Sequence, residues 1–101
     1  MSNRNELHAK LCELLGSSHV YFQPPENVKL IFPCIIYNLD QFYKRHANGF
    51  GYHIRDRYAV TLVSKDPDCP LVREIERLPL CSFSRFYTAD NLNHWAYEIY
   101  I

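Results

Sequence analysis

Four cysteines and five histidines are the residues of this 101-residue chain most suited to metal binding or nucleophilic chemistry. Cys12, Cys34, Cys69 and Cys81 form no C-x-x-C pair, and only His8 and Cys12 share a helical face. Tetrahedral zinc needs three or four converging ligands, usually drawn from close-spaced pairs, so the spacing favours buried, reduced thiols. A Cys–His pair can meet in space from distant positions, yet no catalytic signature surrounds any of the cysteines. His94, beside Trp95, reads as a hydrogen-bonding residue at a strand start. Asp66 and Asp68 resemble half of a calcium loop, but no glycine or bidentate glutamate follows at the required offsets. Turn formation and helix capping account for them better. Gly49 and Gly51 flank Phe50 without making a phosphate cradle. Arg55 and Arg57 with Tyr52 and Tyr58 could stack on single-stranded nucleic acid, but strand alternation puts the arginines and tyrosines on opposite faces. The expectation is no catalytic residue, no metal and no cofactor.

Composition narrows the classes further. Length suits one domain spanning residues 1–101. A share of 48% hydrophobic and 22% charged residues is that of a packed globule rather than a disordered chain. Eight Tyr, six Phe and one Trp bring the aromatic share to 15%. Such rings, partly exposed in a small domain, lean toward association, although sheet packing alone also uses them. Eleven acids balance eleven bases, so the chain carries no electrostatic footprint for nucleic acid or an anionic membrane. No run approaches the ~18 apolar residues of a membrane span, and residues 1–5 are polar rather than a signal peptide. These features predict a cytosolic protein with reduced thiols.

The elements that position these residues are organised around residues 81–101. A strand over 81–88, a turn over 89–93 and a strand over 94–101 are predicted. Trp95, Tyr97, Ile99 and Ile101 fall on one face of the second strand, the two-residue period of a half-buried strand. The turn holds Asp90, Asn91 and Asn93, which tolerate left-handed backbone. The apolar end at Ile101 is expected inside the fold or an interface.

Upstream, Asn3 or Asn5 can cap a helix to about Leu15, with Leu7, Leu11, Leu14 and Leu15 as its apolar stripe and Gly16 as its stop. Val20, Tyr21 and Phe22 form a short extended piece ended by Pro24 and Pro25, an edge or a connection. A strand from Cys34 to about Tyr43 begins with the apolar run Cys34, Ile35 and Ile36 and turns polar at Asp40, Gln41, Lys44 and Arg45. After a glycine loop, residues 52–64 alternate. Together the two strands make a long antiparallel hairpin whose tip projects beyond the sheet. Phe50 at that tip and the basic residues along it fit an arm for a neighbouring subunit, and fit a solvated ribbon equally well. A second helix over 70–78 turns Leu71, Ile75 and Leu78 to the sheet, and Pro79 ends it. The order α-β-β-β-α-β-β lacks a parallel crossover signature. It predicts an α+β fold, mainly an antiparallel β-sheet with both helices on one face.

Several stretches in sequence carry a resemblance. They are Tyr21-Phe22-Gln23-Pro24-Pro25, Pro33 with Ile36-Tyr37, Tyr58 with Val60-Thr61, and Asp66-Pro67-Asp68. Leu78-Pro79, Cys81-Ser82-Phe83 with Arg85 and Tyr87, and Asp90-Asn91-Leu92-Asn93-His94 complete the set. The chain resembles the small tail terminator, tail completion or minor capsid proteins of long-tailed phages and prophages. The resemblance implies a structural virion protein, assembled in the bacterial host cytoplasm, with no catalytic residues. It implies a ring of its own copies, a hexamer, that caps the tail tube protein and meets the head connector or head-closure protein. DNA would pass through the lumen ungripped, and no membrane is involved. Heterologous ring contacts require two complementary faces. The hairpin residues Tyr43, Lys44, Arg45, Phe50, Tyr52 and Arg55 are candidates for one; the sheet edge or C-terminal strand near Tyr100 is a candidate for the other. Another neck component, head-closure or connector, and a small cytosolic enzyme are the competing readings.

Overall fold

The computed structural model describes residues 3–25, 27–47 and 50–100, and the side chains of residues 4–25, 27–40 and 56–100. Helix α1 (Asn3–Leu15) is followed by β1 (Val20–Phe22), β2 (Cys34–Ala47) and β3 (Phe50–Ser64). Helix α2 (Leu71–Glu76) and the strands β4 (Cys81–Ala89) and β5 (Leu92–Tyr100) complete the chain. This is the expected α+β order.

The strands form one five-stranded sheet in the order β1-β2-β3-β5-β4. All neighbours are antiparallel except β1 and β2, which run parallel. The short piece Val20–Phe22 is thus an edge strand. Its direction could not be read from its three residues, because the connection to β2 is an irregular loop without a helical period. A cis peptide bond joins Phe32 to Pro33 at the end of that loop.

Cross-strand partners share a face, so the register builds the core in rows. One row runs Val20, Ile35, Leu62, Trp95 and Phe86; the next runs Phe22, Tyr37, Val60, Tyr97 and Phe83. Leu39, Tyr58, Ile99 and Cys81 make a third. Leu7 and Leu11 of α1 and Ile75 of α2 are buried against these rows, which puts both helices on one face. Leu11, Ile35, Tyr37, Val60, Leu62 and Ile75 are fully buried. The predicted burial of Trp95, Tyr97 and Ile99 on one face of the last strand holds; Ile101 lies outside the described residues.

Local chemistry explains the boundaries. Gly16 adopts φ +75° and its N–H donates to the Cys12 carbonyl at 2.9 Å, closing α1. The helix starts at Asn3, which puts Asn5 inside its first turn rather than at the cap. Asp90 and Asn91 take φ of 53° and 62° and alone link β4 to β5. Two consecutive left-handed residues make the tight turn whose twist matches the strands it joins. That turn lets β5 begin at Leu92, two residues before the predicted start.

Helix α2 is shorter at both ends than the predicted 70–78. Pro70 is its N-cap and makes no side-chain capping bond. Asp66 and Asp68 therefore do not cap it. Asp68 N–H instead donates to Asp66 Oδ1 at 2.9 Å, a local turn that occupies the carboxylate. Leu78 still packs against the core just beyond the helix end.

Candidate functional site

The hairpin begins where the sheet ends. β1 pairs β2 only over Ile35, Ile36 and Tyr37, and β5 pairs β3 only from Arg57 onward. Gln23 finishes the β1 side: its N–H donates to the Tyr37 carbonyl at 2.9 Å, and its Oε1 accepts from Leu39 N–H at 3.2 Å. Beyond these points β2 and β3 pair only with each other among the described residues, up to Ala47 opposite Phe50. The two-stranded part, residues 42–47 against 50–56, extends about 20 Å at ~3.3 Å per residue. The molecule accordingly measures 50 × 25 × 24 Å.

The register is irregular at two points. It shifts between Leu39 and Gln41, and shifts back between Tyr43 and Lys44. Each irregularity adds twist to a two-stranded ribbon. The base of the ribbon is clamped by charge. Arg57 Nε donates to Asp40 Oδ2 at 2.7 Å, and Arg57 Nη1 lies 4.0 Å from Glu98 Oε2. A side-chain hydrogen bond from Arg57 also reaches Tyr100.

Of the predicted interface residues, Tyr43, Lys44 and Arg45 stand in β2, and Phe50, Tyr52 and Arg55 in β3. Tyr43 pairs with Arg55, and Arg45 with Tyr52, so the backbone brings these six into one ribbon. Their side chains lie outside the described residues. Tyr100 is half-buried on β5, opposite Arg57, and its N–H donates to the Leu80 carbonyl at 3.2 Å. It sits near the ribbon's base, on the sheet face away from the helices, because its partner Arg57 has the opposite parity to Tyr58.

A second feature is marked in the sequence only by a pair of aromatic residues out of step with strict alternation. β4 is an edge strand, and its Phe83 and Phe86 remain 47% and 49% exposed. They belong to the core rows, Phe83 opposite Tyr97 and Phe86 opposite Trp95, with ring centroids 5.6 and 5.4 Å apart. Helix α2 is too short to roof them. A groove of about 510 Å³ is left between helix and strand, lined by Asp68, Val72, Glu76, Phe83, Phe86 and Trp95 among others. A sequence signal for it exists: Phe83 and Phe86 are three apart, which strict alternation would send to opposite faces. The shift in register between Phe83 and Arg85 returns both to the same side.

The nucleophile candidates are quiet. Cys34 and Cys69 are buried, Cys12 and Cys81 half-buried, and all four are free thiols. Burial pushes the Cys34 thiol up to about 11, and burial with nearby Glu76 does the same to Cys81. A thiol so shifted is a poor nucleophile at neutral pH. No group of three or more metal-capable side chains converges among the described residues. His8 Nδ1 meets the Tyr37 hydroxyl at 2.7 Å, and His94 stacks on Tyr87 with Nδ1 3.2 Å from the Leu92 carbonyl oxygen. Each of these histidines thus has a polar partner within the fold. No helix is long and apolar enough to cross a membrane among the described residues.

Compared with known proteins, the chain matches no family model, no curated protein and no solved structure.

Proposed function

We propose that this chain is a structural virion subunit that associates with its own copies into a ring, and that the ring caps a phage tail tube and joins it to the head connector. The ribbon carries the reading. Its length beyond the sheet, paired only with itself among the described residues, supports a role outside the monomer. A two-stranded ribbon is marginal in water on its own and gains stability when another surface covers it. Residues 42–56 contain four aromatic residues, Phe42, Tyr43, Phe50 and Tyr52, with Lys44, Arg45 and Arg55 against one acid, Asp56. Aromatic and arginine side chains are those enriched in protein interfaces. A ribbon docking on a different surface of the next copy is a heterologous contact, which closes a ring when its rotation closes. The tail-tube and connector partners, the hexamer and passage of DNA through the lumen rest on the resemblance described above. In this reading the protein performs no reaction and works by shape.

The test is electron microscopy of the purified protein mixed with polymerised tail tube protein from the same genome. Discrete caps at one tube end, with tubes halted at fixed length, are the expected result. Bare tube ends with the protein bound to isolated head connectors would assign it to the head side. Binding to neither would overturn the proposal.

A further inference from the structure

The groove between α2 and β4 and the ribbon are complementary in both charge and apolar character. The charged side chains lining the groove are Asp68 and Glu76 against a single base, Arg73, a balance of −1. The ribbon, residues 42–56, holds three bases and one acid, Asp56, a balance of +2. The opposite wall and floor supply aromatic surface from Phe83, Phe86 and Trp95, suited to the four aromatic residues of the ribbon. Glu76 faces the groove with its side chain 47% exposed and only a 3.6 Å contact to the more exposed Arg73, a pair of little strength.

Reach is also adequate. The molecule is about 25 Å across its two short dimensions and 50 Å along its length, so the ribbon of about 20 Å reaches across most of the width of a neighbouring body. The groove cannot be filled from within the same chain by α2, whose six residues end at Glu76. Tyr100 lies on an interior strand with Arg57 against it, whereas the groove lies at the free edge of the sheet.

We infer that the groove between α2 and β4 is the socket that receives the basic, aromatic β2–β3 ribbon of a neighbouring copy. This rests on the proposed self-association and names the acceptor surface for it. A ribbon in that socket desolvates Phe83 and Phe86 and sets a net basic segment beside Asp68 and Glu76. Opposite charges steer encounter, and their attraction weakens as salt rises.

Mixing of two singly defective variants tests it. The socket variants are Phe83→Ser/Phe86→Ser and, leaving the packing intact, Glu76→Lys/Asp68→Lys; the ribbon variant is Lys44→Glu/Arg45→Glu. Each is followed by sedimentation velocity, with circular dichroism confirming the fold. Wild type is expected to form closed oligomers, and each variant alone to remain monomeric. A socket variant mixed with the ribbon variant should give only a one-to-one dimer, because one intact ribbon meets one intact socket. Assembly of both socket variants like wild type, while the ribbon variant stays monomeric, overturns the socket and leaves the ribbon's role standing. Wild type that stays monomeric up to its highest soluble concentration, or a ribbon variant that assembles normally, overturns both.

Discussion

The Tyr97 hydroxyl donates a 3.0 Å hydrogen bond to the carbonyl of Val72, joining strand β5 to helix α2 across the core. Tyr97 is 1% exposed, and burial raises its phenol well above the ordinary range. The bond holds one wall of the groove against its floor. Tyr97→Phe removes the bond and keeps the ring, so chemical denaturation should show a loss of about 1 kcal/mol. No loss would mean that packing alone seats the helix.

Trp95 tests the core rows directly. It is 7% exposed, between Leu62 and Phe86 in register. Trp95→Ala should cost about 3–5 kcal/mol by equilibrium unfolding. Phe86→Ala, at a site already half open to water, should cost well under half of that. Equal losses would contradict the difference in burial that leaves the groove open.

The turn offers a prediction independent of packing. Asn91 holds φ at 62°, a region that costs a β-branched residue about 1–2 kcal/mol. Asn91→Val should therefore lower stability by about that amount, and Asn91→Gly should leave it level or raise it by a few tenths of a kcal/mol. Thermal melts of the two variants check the order, and the reverse order would contradict the turn geometry.

Much of the fold is legible in the sequence alone. Leucine spacing and Gly16 mark α1, and alternation marks the buried face of β5 and the long hairpin. Each of those signals acts within a few residues of itself. The parallel pairing of β1 has no such local signal, since its direction depends on where an irregular loop delivers Cys34. Helix α2 reads longer in sequence because Leu78 keeps helical spacing to Ile75, yet only tertiary packing holds Leu78 in place. The groove depends on two facts together: a register shift on β4 and a helix that stops at Glu76. The spacing of Phe83 and Phe86 hints at the first, while the second is decided by the fold.

Thiol burial gives a pH signature. The Cys34 thiol moves from its ordinary 9.0 to about 11, because burial disfavours the thiolate. The folded chain thus keeps a proton that the unfolded chain releases. That contribution to stability is whole below about pH 9 and is lost as pH rises toward 11. Unfolding midpoints should fall across this interval, and Cys34→Val should make the fall shallower. An unchanged slope would show that Cys34 titrates alike in both states.

We propose that the ribbon serves assembly and not the fold. Sedimentation velocity and thermal melting of Arg45→Ala/Phe50→Ala against wild type test it most directly. Closed oligomers for wild type, monomer for the variant, and melting temperatures that agree within a few degrees are expected. A variant that loses folding and assembly together, or one that assembles as wild type does, would contradict it.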